Sequence, residues 1–93
     1  MTIPDSVMSI SDWAFEDCEN LSSVSIPESV TYIGYEAFRL CESLTSLIIP
    51  PSVTDIEDTA FDVCGDITLI VTKGSFAEQY AKDNNISYRF TTK

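Results

Sequence analysis

Ile3, Ile26 and Ile49 stand 23 residues apart, and most apolar positions between them keep that spacing. Val7, Val30 and Val53 repeat it, as do Ile10, Ile33 and Ile56, Ala14, Ala37 and Ala60, Phe15, Phe38 and Phe61, and Cys18, Cys41 and Cys64. Polar residues fill most of the places between. A fixed period in this range marks one supersecondary unit stacked on copies of itself, not a core enclosing an active site. Within a unit, Leu44, Leu47 and Ile49 follow an L-x-x-L-x-I pattern, whose last two inward positions alternate as a half-buried strand requires. Leu21, Val24 and Ile26 repeat it. One parallel sheet is therefore expected, with strands centred on Leu21–Ile26, Leu44–Ile49 and Ile67–Thr72. Pro27 and Pro50 end their strands because proline cannot donate to a ladder. Val30 to Ile33 reads as a second short extended segment, and Glu36 to Leu40 as a helical turn that drives Phe38 into the core. Stacking at the ~4.8 Å spacing of paired strands turns each buried row into a column of like residues.

The pattern changes after Thr72. Ser75 with Glu78 three residues later forms a capping box, so a helix is expected to start there. Phe76 and Tyr80, with Ala77 and Ala81, give it an apolar face toward the last coil. Asn84-Asn85 ends it, and Ile86, Tyr88 and Phe90 alternate as a final strand. Residues 1–72 are thus three repeats and 73–93 a cap, in a single domain; a binding helix is the rival reading of the cap.

The motif I-P-x-S-V-x-x-I-x-x-x-A-F-x-x-C-x-x-[LI] occurs three times, starting at Ile3, Ile26 and Ile49. On these residues the chain resembles the leucine-rich repeat superfamily, specifically its BspA-like 23-residue variety, from about Thr2 to Val71. The run from Gly74 through Tyr80 to Asn84 is similar to that family's C-terminal cap. The resemblance implies an α/β, β-rich repeat: a right-handed leucine-rich-repeat solenoid with a parallel β-sheet, three 23-residue coils and a C-terminal helix-strand cap. It also implies a bacterial or protist surface or secreted protein that contacts other proteins. It supplies no catalytic residue and no cofactor.

Fifteen acidic residues against five basic ones set a formal charge of −10, which argues against binding a phosphate backbone or an anionic membrane surface. No apolar run reaches the ~18 residues of a membrane span. The acid reads as the solvated face of an exposed stack, and one column of alternating sign, Glu16, Arg39 and Asp62, is placed to form a salt-bridge ladder. Asp55, Glu57 and Asp58 lack the glycine-turned loop of calcium sites. For Cys18, Cys41 and Cys64 three readings stand: buried reduced thiols, one disulfide, or a metal site. The odd count and the lack of histidine weigh toward thiols. No nucleophile-with-base arrangement, G-x-S-x-G or glycine-rich phosphate loop is present, so no enzyme is expected.

Binding is the remaining activity, and a protein of unknown identity is the expected partner. Strand positions between inward residues form the sheet's outer face, where Ser23, Ser25, Ser46, Ile48, Leu69 and Val71 are the expected interaction residues. Trp13, Tyr32 and Tyr35 form a second candidate patch. Ordinary surface is the competing reading of both. The alternative function is a purely structural terminal segment of a longer array, with binding done upstream. Asn20-Leu21-Ser22 and Asn85-Ile86-Ser87 also match the glycosylation sequon. Because the motif starts at Ile3, the chain reads as the C-terminal piece of a longer array or as a trimmed form of one. Its first coil leaves Ile3, Val7, Ile10 and Phe15 without a neighbour, so self-association through the uncapped N-terminal end is expected, most simply as a two-fold dimer.

Overall fold

Phe15, Phe38 and Phe61 stack ring on ring, with centroids 5.2 and 5.4 Å apart and planes within 10° of parallel. This column is the spine of the computed structural model, which describes residues 3–62, 64 and 67–91. Around it run β1 (Ser9–Ile10), β2 (Tyr32–Ile33), β3 (Ser46–Ile48), β4 (Asp55–Ile56), β5 (Thr68–Val71), α1 (Phe76–Asp83) and β6 (Ser87–Phe90). They form two parallel three-stranded sheets, β1-β2-β4 and β3-β5-β6. Ile10, Ile33 and Ile56 are paired in register, as the period requires. Inward residues of both sheets join one buried cluster, and Val30, Ile33, Ala37, Phe38, Leu44 and Ile49 of the middle coil are fully buried.

The expected single sheet is therefore two. The segments read as secondary extended pieces pair among themselves, and Leu21–Ile26 forms no strand. That segment makes only an isolated bridge, where the Ile3 N–H donates to the Ser25 carbonyl at 3.2 Å. Serines at 22, 23 and 25 offer no large side chain to pack on a pleated surface, which weakens the strand there. The third strand of that sheet, β6, comes instead from the cap.

Glu36–Leu40 is not helical. Trp13, Asp17, Glu36 and Leu40 adopt φ of 58°, 64°, 52° and 64°, which breaks each segment into successive tight turns. The N–H groups of Phe15, Asp17, Phe38 and Leu40 donate to carbonyls of Ala37, Arg39, Ala60 and Asp62 in the next coil, at 2.8–3.1 Å. Donors so engaged are unavailable for i→i−4 bonds. The left-handed residues cost about 1–2 kcal/mol each, offset by the bonds between coils that they allow.

The repeated serine and cysteine of the motif have the same purpose. Ser29 and Ser52 hydroxyls donate to the carbonyls of Val7 and Val30 in the preceding coil, at 2.7 and 2.8 Å. The Arg39 guanidinium lies between Glu16 at 3.1 Å and Asp62 at 3.5 Å, which realises the alternating charge column. These groups are about a third or more exposed, so solvent screens both pairs and the ladder favours register more than stability.

α1 starts where the sequence predicts. Ser75 accepts from the Glu78 N–H, while the Glu78 carboxylate accepts from the Gly74 N–H, one residue earlier than a capping box would place it. Its buried face is Ala77, Tyr80 and Ala81, and Phe76 is turned outward at 40% exposure. Tyr80 ends the phenylalanine column, 6.2 Å from the Phe61 ring, and its hydroxyl donates to the Glu57 carbonyl at 2.8 Å.

Gly34 has a specific steric reason. A Cβ there would meet the Asp12 nitrogen and carboxylate at 2.6 Å, because Asp12 folds over it to accept the Tyr35 N–H. Gly34→Ala should therefore destabilise by roughly 1–3 kcal/mol, as overpacking does. Urea unfolding followed by circular dichroism measures it, and an unchanged midpoint would mean that the first two coils are not this closely apposed.

Candidate interaction surfaces

The outer face of the β3-β5-β6 sheet differs from the sequence reading at two positions. Leu69 and Val71 are fully buried, not exposed. The cause is one missing residue: Leu44-Thr-Ser-Leu47 of the second coil becomes Ile67-Thr-Leu69 in the third. β5 consequently pairs with β3 at a spacing of 22, Leu47 opposite Leu69 and Ile48 opposite Ile70. A one-residue slip exchanges the two faces of a strand. The outer face consists of a hydroxyl row, Ser46, Thr68 and Ser87, and a second row, Ile48, Ile70 and Arg89. Ile48 is 55% exposed and Ile70 half-buried. Ser23 and Ser25 are exposed in the first coil, beyond the end of this sheet. Ile70, Ser87 and Arg89 escape a reading that keeps the period at 23, although the shortened Ile67-Thr-Leu69 step signals the change.

The second patch is partly assembled. Trp13 and Tyr35 meet edge to face, with centroids 6.0 Å apart and planes at 88°, and both are about half exposed. The Trp13 Nε1–H donates to Glu36 at 2.9 Å, which fixes the indole across the two coils. Tyr32 points elsewhere: its hydroxyl donates to the Glu57 carboxylate at 3.2 Å. Partial burial, and then the charge of Glu57, push the Tyr32 phenol above its ordinary range.

Cys18, Cys41 and Cys64 are free thiols. The Cys41 sulfur donates to the Phe15 carbonyl at 3.1 Å and Cys64 to the Phe38 carbonyl at 2.7 Å, the same handover between coils that the serines make. Burial pushes the Cys41 thiol up to about 11 and raises Cys64 as well. These are protonated, unreactive groups, in contrast to the low-pKa exposed thiolates of catalytic sites. Asp55 and Asp58 are exposed and Glu57 is engaged with Tyr32. Among the described residues no group of three or more His, Cys, Asp or Glu is placed to hold a metal ion.

Two cavities lie at the ends of the stack. One, of about 190 Å³ between the third coil and α1, is lined by Asp58, Thr59, Phe61, Asp62, Tyr80, Asn84 and Ile86. The other, of about 250 Å³, opens at the N-terminal end over Ile3, Val7, Ile10 and Phe15. No described helix is long and apolar enough to cross a membrane.

Repeated coils joined by parallel strands define a repeat protein. The family model for the BspA type leucine rich repeat region (6 copies) matches residues 1–87, and the chain belongs to that family. Neither a search of curated proteins nor one of solved structures found a match.

The thiol geometry has a measurable consequence. Near neutral pH the half-buried Cys18 should alkylate readily in the native protein, and Cys41 and Cys64 only on unfolding. A folded pKa raised from about 9 to about 11 means that the unfolded state releases its proton first. Stability should therefore hold below about pH 9 and fall as pH rises toward 11, with a shallower fall in Cys41→Ser. Equal alkylation rates at all three cysteines would contradict the placement.

Proposed function

We propose that this chain is a non-catalytic protein-interaction module, displayed on a cell surface or secreted, that grips a protein partner through the β3-β5-β6 face without a cofactor. On this reading the coils wind as a right-handed solenoid, with residues 1–72 as repeats and 73–93 as the cap of one domain. Membership of a leucine-rich repeat family supports protein interaction as the class of function. The observation that carries the choice of surface is Ile48, a stiff β-branched side chain held more than half exposed beside Ile70. Small hydroxyl residues flank it and Arg89 ends the row. Such a rigid apolar anchor loses little side-chain entropy when a partner covers it. Trp13 with Tyr35 is the second surface, favoured by the enrichment of these residue types among interface hot spots. The rival function, a terminal segment that caps and spaces a longer array, draws on the way α1 and β6 close over the third coil.

Titration of the chain against a panel of host-cell and matrix proteins tests these readings. For a partner that binds, Ile48→Asp should weaken affinity about tenfold or more with an unchanged circular dichroism spectrum, and Trp13→Ala should change it little. Loss with Trp13→Ala but not with Ile48→Asp would move the site to the aromatic patch. Binding by a longer array but not by this chain would favour the spacer.

A further inference from the structure

Tyr35 lies in the middle coil, with a neighbouring coil on each side, and is still 44% exposed. Its exposure therefore belongs to the side of the stack, where a further coil at either end would extend the surface and not cover it. The residues that follow β1, β2 and β4 build a ridge there. The period sets Asp12, Tyr35 and Asp58 in one column and Trp13 and Glu36 in the next. At ~4.8 Å per coil, the first column runs about 10 Å. Trp13 leans onto the second coil, its ring edge-on to Tyr35 and its indole N–H held by Glu36. Asp12 accepts the Tyr35 N–H through one carboxylate oxygen at 2.9 Å, and its other oxygen has no hydrogen-bond partner among the described residues.

The charge around these rings has one sign. Arg39 is the one base among residues 1–72, against thirteen acids. It is held between Glu16 and Asp62, and among the described residues Asp12, Asp55 and Asp58 form no ion pair. Partial burial, and then Glu57, Asp12 and Asp55, hold the Tyr32 phenol above its ordinary range, which places three carboxylates near the foot of the ridge. They do not converge: among the described residues no group of three or more is placed to hold a metal ion. A single small cation finds no cage here, whereas a chain that carries several cations can meet several carboxylates. The outer rows of β3-β5-β6 differ in kind, since their charged member is Arg89 and they carry no acid.

An exposed ring beside a carboxylate suits a guanidinium. Its plane stacks on the ring while its fork donates to the carboxylate, a combination that a lysine ammonium does not match. An extended segment advances ~3.3 Å per residue, so about three residues cross the column. The net charge of −10 draws such a segment in and repels acidic competitors.

We propose that the ridge of Asp12, Trp13, Tyr35 and Asp58 docks an extended, arginine-containing basic segment of a protein partner, one guanidinium lying against the aromatic rings and pairing with Asp12. This surface is separate from the β3-β5-β6 face, and it stands or falls independently of the binding placed there.

Trp13 is the single tryptophan of the chain, so its emission reports directly on the ridge. The test is titration of the full chain at low salt with the synthetic peptide Gly-Arg-Ser-Arg-Ser-Arg-Gly, and with versions in which lysine or glutamine replaces every arginine. The arginine peptide should change Trp13 emission saturably and bind about threefold or more tighter than the lysine peptide. The glutamine peptide should not bind, and added salt should weaken the arginine complex. Tyr35→Ala should weaken it about fivefold or more. Asp58→Asn, at an exposed position, should also weaken it and stands in if Tyr35→Ala fails to fold. Glu42→Gln, an equal loss of charge at another exposed position, and Ile48→Ser, on the other face, should change it little. An absence of binding, a lysine or glutamine peptide that binds as tightly, or binding without a change in Trp13 emission would each overturn the proposal. So would a loss with Glu42→Gln as large as with Asp58→Asn, because the attraction would then be to net charge and not to this ridge.

Discussion

A single coil of this chain cannot bury its own phenylalanine; the ring leaves water only when the next coil's ring lies on it. Phe38, with a neighbour on both sides, is fully buried, while Phe15, with one, is not. The period follows from that dependence. A column of flat rings spaced 5.2–5.4 Å apart holds neighbouring coils in register at the phenylalanines, even where the strand that follows is one residue shorter. Each coil is then locked to its neighbour by side chains that donate to backbone: serine near the start of the motif, cysteine near its end. Stability in such an array is the sum of weak units and strong interfaces.

This arrangement explains what the sequence revealed and what it did not. Ile10, Ile33 and Ile56 were legible because a buried column needs the same residue in every coil, and repetition is directly visible. Ser75 and Tyr80 were legible because helix starts and apolar faces have local signatures. Leu69 and Val71 were misplaced outside because a one-residue contraction leaves composition untouched while inverting the strand. Glu36 and Leu40 are good helix formers that nevertheless adopt positive φ, since their segment bonds to the next coil and not to itself. Propensity describes a segment in isolation, and no segment here is isolated. Trp13 and Tyr35 were legible as neighbours on the surface although their contact joins residues offset by one from the period, whereas Tyr32, grouped with them, is held by Glu57 instead.

The outer surface is left free by the same economy. Since serine, cysteine, phenylalanine and isoleucine at fixed positions hold the stack, the variable positions carry acid, aromatics and the Ile48 row without cost to the fold. That separation lets one scaffold present different faces, and in repeat proteins such faces are where partners are recognised.

Native-state hydrogen exchange followed by NMR tests most directly whether bonds between coils, and not local helices, hold the turns. The N–H groups of Phe15, Phe38 and Leu40 donate to the following coil. They should exchange slowly and share one opening free energy with Gly34 and Glu57 on the sheet side. Rapid, unprotected exchange at Phe38 and Leu40 alongside slow exchange in α1 would contradict it.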